Sequence, residues 1–141
     1  MRRVRHVRTL RYVVALIGLI ALASCQQLGD VVITGTLEAP EVQARAEGIL
    51  KRPLPCLNEA TITHGAITMW RISSLGEKCV EVRRLEYGTV PDGFTQDAQA
   101  TQLQPDITYD VYVDGWKAQM PNVPFQARGR MTFQGGRWTK P

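Results

Sequence analysis

The strongest constraint on the fold lies between Thr108 and Gln134, where apolar and polar residues alternate through two successive segments. Tyr109, Val111 and Val113 interleave with Asp110, Tyr112 and Asp114. Phe125, Ala127, Gly129, Met131 and Phe133 interleave with Gln126, Arg128, Arg130, Thr132 and Gln134. A period of two puts every second side chain on one face of an extended strand, whereas a helix needs repeats of three and four. Both segments therefore read as half-buried strands, one face in a core and one in solvent. Gly135-Gly136 follows with the tolerance of positive φ that a two-residue hairpin turn demands, and returns the chain into a short last strand around Trp138.

Shorter runs carry the same period elsewhere. Val31 to Leu37 reads as a first strand with Val31, Ile33 and Leu37 on one side. Ala60 to Thr63 and Ala66 to Ile72 read as two more, the second carrying Ile67, Met69 and Trp70. Lys78 to Tyr87 reads as a long strand, and Pro91-Asp92-Gly93 as a turn in which proline presets φ and glycine accepts a positive one. Ala39 to Gly48 is either a short helical turn or a loop, since Pro40 near its start suits both, and Lys51 to Pro55 holds two prolines and reads as irregular. Several short strands, many turn residues and no long helical period predict an all-β domain, a sandwich or a small barrel.

Leu103-Gln104-Pro105-Asp106-Ile107-Thr108-Tyr109-Asp110-Val111 narrows the choice. It resembles the tyrosine-corner segment of fibronectin type III domains, Leu-x-Pro-Gly-Thr-x-Tyr-x-Val, with Asp106 at the glycine position and the threonine displaced by one. The resemblance implies a small immunoglobulin-like β-sandwich in which the Tyr109 hydroxyl bonds back to the preceding connection and Trp70 supplies the core indole. Likeness of this kind speaks to fold and not to function.

The N-terminal segment has a different character. Met1 to Arg11 is a basic arm with five arginines and no acidic residue, and Val13 to Ala23 is an uncharged apolar run. As a helix that run would extend roughly 16 Å, against a bilayer core of about 30 Å, so it suits the apolar region of an export signal better than a permanent span. Leu22-Ala23-Ser24-Cys25 then resembles the lipobox of bacterial lipoprotein signals, Leu-(Ala/Ser)-(Gly/Ala)-Cys, with Ser24 in the place usually taken by Gly or Ala. The resemblance implies cleavage before Cys25 and a diacylglycerol on its thiol. It divides the chain into a signal over 1–24, a lipidated tether over 25–30 and a domain over 31–141. Gln26 and Gln27 are not the aspartate that commonly retains enteric lipoproteins on the inner membrane, which implies the periplasmic leaflet of the outer membrane.

Processing changes the composition. The whole chain has 17 Lys and Arg against 13 Asp and Glu, a net charge of +4. Five of the arginines leave with the signal, so the mature protein is nearly neutral and its composition gives no support for nucleic-acid binding. With Cys25 acylated, Cys56 and Cys79 are left as a pair, expected to be bonded in an oxidising compartment. Such a bond would contribute about 3 kcal/mol by restricting the unfolded chain. A zinc site of standard spacing cannot be assembled, because the mature chain has His64 alone and no Cys-x-x-Cys.

The remaining candidates for chemistry each have a plainer explanation. His64 with Ser73 and Ser74 spells a hydrolase triad, but without a nucleophile elbow, and His64-Gly65 reads as a turn. Asp92, Asp97, Asp106, Asp110 and Asp114 suggest calcium by ligand type but not by spacing, and solvated faces and turns account for them. Arg128 and Arg130 share a strand face with Arg137 nearby, a stripe suited to lipid headgroups, peptidoglycan carboxylates or an acidic protein. That stripe equally fits the polar side of a sheet, paired with Glu81 or Glu86. Trp116, Met120 and Phe125 lie in an apolar connection that either binds something or covers the core. The expectation is a non-enzymatic, lipid-anchored envelope protein without metal or cofactor, acting through protein or peptidoglycan contacts. The alternative is a small-ligand or glycan-binding module using Trp116 to Phe125.

Overall fold

A computed structural model describes residues 27–46, 55–76, 79–81, 84–117 and 120–141, and these residues contain strands but no helix. Nine strands follow in chain order: β1 (Gln27–Gly35), β2 (Pro40–Ala46), β3 (Pro55–His64), β4 (Ile67–Ser74), β5 (Leu85–Glu86), β6 (Phe94–Ala98), β7 (Thr108–Lys117), β8 (Met120–Gln134) and β9 (Arg137–Thr139). They form one sheet in the order β5-β2-β1-β8-β7-β3-β4-β6, with β9 also paired to β8. Every pairing is antiparallel except that of β1 with β8.

That parallel pairing is short, Gln27–Asp30 against Phe125–Arg128, and it joins two arms of the sheet. The short arm β5-β2-β1 contributes Val31, Ile33, Val42 and Leu85 to the core, and the long arm contributes residues such as Ile62, Trp70, Ile72, Val111, Val113 and Met131. One core shared by both arms makes a sheet that curls over on itself, sandwich-like in its layering. In immunoglobulin lettering β1, β2 and β5 take the A, B and E places, and β3, β7 and β8 take C, F and G. Close approach at the curl needs a bare Cα: a Cβ on Gly129 would stand 2.8 Å from the Val31 carbonyl oxygen.

The β7–β8 hairpin follows the alternation of its residues. Tyr109, Val111, Val113, Phe125, Ala127 and Met131 are buried, and of their polar neighbours Asp110, Arg128 and Arg130 are exposed while Thr132 is buried. Gly135 and Gly136 both take positive φ, 58° and 79°, in the turn to β9. The tyrosine corner forms as the motif implies. Tyr109 Oη accepts a hydrogen bond from the Gln104 amide at 2.8 Å, and Asp106, at the motif's glycine position, adopts φ 62°. Aspartate is among the few residues that enter the left-handed region readily. Trp70 is fully buried, as the resemblance implies, but it stands on β4 rather than on β3, the strand in the C place.

Several segments differ from the reading of the sequence. Ala39 to Gly48 contains the regular strand β2, opened by a buried Pro40, where a helical turn or a loop was expected. Proline at the first residue of a strand leaves the later ladder bonds intact. Lys78 to Tyr87 is not one long strand: its described residues form a Cys56–Glu81 bridge and the two-residue β5. Val80 and Val82 share one parity and Leu85 the other, so a single strand could not bury all three. Residues 27–30, expected to lie outside the domain, are instead the first residues of β1, because backbone pairing with β8 recruits residues that show no apolar pattern.

Candidate functional site

The outward-facing residues of β3, β7 and β8 form a ladder of cross-strand rungs. Thr63, Asp110 and Arg130 make one rung, Thr61, Tyr112 and Arg128 the next, and Glu59, Asp114 and Gln126 the third. Beyond a bulge between Leu57 and Glu59, the rung Cys56–Trp116–Pro124 continues the same face. Directly opposite residues on a sheet face interact, so each rung sets the state of its members.

Arg130 Nε lies 3.0 Å from Asp110 Oδ1, and both side chains are largely solvent-exposed. Arg128 instead packs its guanidinium over the Tyr112 ring, 5.1 Å from the centroid. Asp30, the register partner of Arg128 on β1, is committed to Lys140. Among the described residues Arg128 has no ion-pair partner. In the same rung, the Thr61 hydroxyl donates to Glu59 Oε1 at 2.7 Å and accepts from Arg71 Nε at 3.3 Å. Arg128, Arg130, Tyr112, Asp110, Thr61 and Thr63 line an open groove of about 630 Å³.

Two ionisable groups on the face are displaced from their ordinary behaviour. Burial pushes the Asp114 carboxyl upward and Glu59 across the rung adds to this, while hydrogen bonds from Asn58 and the Glu59 backbone partly oppose it. Asp114 Oδ1 is shielded from solvent and has no partner among the described residues. Burial likewise raises Tyr112, with Asp114 adding to the shift and Arg128 opposing it. The face thus offers one stacked guanidinium without an ion-pair partner among the described residues, beside hydroxyls and a compensated Arg–Asp pair. Groups of this kind have the chemistry to hydrogen-bond an anion or a polar ligand.

The residues expected from the sequence are distributed as follows. Arg128 and Arg130 do share the outer face, but Arg130 pairs with Asp110 on the neighbouring strand and not with Glu81 or Glu86. Arg137 is on β9, opposite Gln134, away from the groove. Trp116 to Phe125 is no loop at the end of the sandwich: its described residues continue the β7–β8 ladder. Phe125 is 1 % exposed and belongs to the core, and Trp116 is half-buried on the outer face. The side chain of Met120 and the whole of Cys25 lie outside the described residues. Cys56 and Cys79 are bonded, Cys56 buried and Cys79 exposed.

His64 and the serines are at opposite ends of the β3–β4 hairpin, since His64 pairs with Ile67 whereas Ser73 pairs with Glu59. The ring Nδ1 of His64 is 3.1 Å from the Thr108 carbonyl oxygen. No group of three metal-ligating side chains converges among the described residues. Thr61, Thr63 and Tyr112 were not singled out from the sequence. Their alternation is visible there, but which strand lies beside which, and in what register, is not. Compared with protein-family models, curated proteins and solved structures, the chain finds no match in any of the three.

Proposed function

We propose that this chain is a lipid-anchored envelope protein of non-enzymatic type, held through Cys25 at the periplasmic face of the outer membrane and acting through contacts of its β3–β7–β8 outer face. The observation that carries the reading is Arg128, stacked on Tyr112 in an open groove with no ion-pair partner among the described residues. A planar guanidinium held by an aromatic face keeps a hydrogen-bonding edge for a carboxylate, and less of its entropy remains to be lost on binding. The partner is a carboxylate-bearing component of the envelope, an acidic protein segment or a peptidoglycan stem. The small-ligand alternative is weakened because Phe125, one of its three residues, is in the core.

In-cell cross-linking followed by affinity measurement on the captured partner tests this. Arg128→Ala removes a charge-assisted contact of about 1.5–3 kcal/mol, which is roughly tenfold or more in affinity. Arg137→Ala, an exposed arginine outside the groove, should leave capture unchanged. Equal capture by wild type and Arg128→Ala, with the fold intact, would remove the basis for the reading.

A further inference from the structure

Cys25 is two residues ahead of Gln27, where β1 begins. Two residues of fully extended chain reach at most about 7 Å. A lipid on Cys25 therefore holds the first residue of β1 at the bilayer surface, with no long tether to let the domain swing away. β1 runs parallel to β8 and enters the sheet with Gln27 beside Phe125. Residues of β8 before Phe125, and their partners on β7 after Gly115, consequently lie on the bilayer side of the point where β1 joins the sheet.

The rung Trp116–Pro124 stands there. Along the outer face the chemistry changes in the same direction. Arg130–Asp110 and Arg128–Tyr112 give way to the Gln126–Asp114 rung, and then to Trp116, Pro124 and the Cys56–Cys79 disulfide. Pro124 is exposed, and Trp116 and Val123 are half-buried. A tryptophan with part of its ring packed and part reaching solvent is the kind of side chain that settles at the headgroup level of a membrane.

We propose that the Trp116–Pro124 rung is a bilayer contact, seated in the headgroup region of the leaflet that carries the Cys25 lipid. It rests on the lipid-anchor reading and goes beyond it. The contact gives the domain a second foothold, so the sheet stands in a fixed orientation and is not free to rotate about its anchor. Arg128 is four residues farther along β8 than Pro124, about 13 Å at 3.3 Å per residue, which holds the groove at a set height above the membrane.

Tryptophan emission from the lipidated protein, reconstituted into phosphatidylcholine–phosphatidylglycerol vesicles with brominated acyl chains, tests this seat. The chain has three tryptophans. Trp70 is fully buried, and Trp138 is on β9 beside Phe133, far along β8 from the anchored end. The expected result is bromolipid quenching that persists in Trp138→Phe and disappears in Trp116→Phe, both variants floating with the vesicles. Flotation without quenching, or quenching that survives Trp116→Phe, overturns the seat and leaves the anchor standing. Failure of the wild type to float overturns the anchor and the seat together.

Discussion

Tyr109 shows how a single side chain fixes a corner of this fold. Its ring is buried in the core while its hydroxyl accepts the Gln104 amide, so the connection before β7 is tied to the strand it feeds. Tyr109→Phe keeps the ring and deletes the bond. It should cost about 0.5–1.5 kcal/mol in denaturant unfolding with an unchanged slope, and no loss would count against the corner. This corner was legible because the motif is local, although the left-handed backbone of Asp106 became visible only in the structure. Asp114 was not legible, because its environment is made by Asn58 and Glu59 across the strand. Its carboxyl is raised in the folded state, so the native protein binds that proton more tightly than the unfolded chain does. Stability therefore falls as pH rises from the ordinary value of 3.8 through the raised one, and above that window the full penalty is present. Asp114→Asn should raise the melting temperature at pH 7, and the gain should shrink as the pH approaches 3.8. A variant less stable than wild type at pH 7 would contradict this account of the carboxyl.

At the scale of strands, alternation longer than five or six residues was readable and its interruptions were not. β7 and the part of β8 from Phe125 onward were evident from their side chains alone, whereas Met120 to Pro124 read as a connection. β2 was obscured by its leading Pro40, although Val42 and Ala44 alternate with Glu41 and Gln43. The five residues of β6, Phe94–Ala98, hold one large apolar side chain and pair along the edge of the sheet through their backbone. Bulges are the deeper difficulty, because each one shifts the register without changing composition. At the bulge in β3, the partner Gly115 has no room for a side chain: a Cβ there would stand 1.9 Å from the Cys56 carbonyl oxygen. Backbone cannot yield as a flexible side chain can, so Gly115→Ala should destabilise the protein by about 1–3 kcal/mol or more. Gly76→Ala, where an added Cβ meets nothing within 4 Å, is the matched control. Equal melting temperatures for the two variants would show that the β3–β7 register differs from the one described.

For the whole molecule, the all-β class followed from periodicity, and the Arg128–Arg130 face was correctly placed outside the core. The curl of one continuous sheet through a four-residue parallel pairing was beyond reach, since parallel partners distant in sequence leave no local signal. The same is true of the groove, whose lining comes from β3, β7 and β8 together. A domain built this way has a charged outer face, an apolar end on that face, and a chain entry beside that end, all of which a short lipid tether would put to use. The proposed membrane anchor, and the orientation that follows from it, depend on the chemistry at Cys25. Intact-mass measurement of the protein extracted from membranes tests it most directly. The expected species is a chain that begins at Cys25 and carries a diacylglyceryl thioether; a chain that begins elsewhere, or one with a free Cys25 thiol, would rule out the lipid anchor.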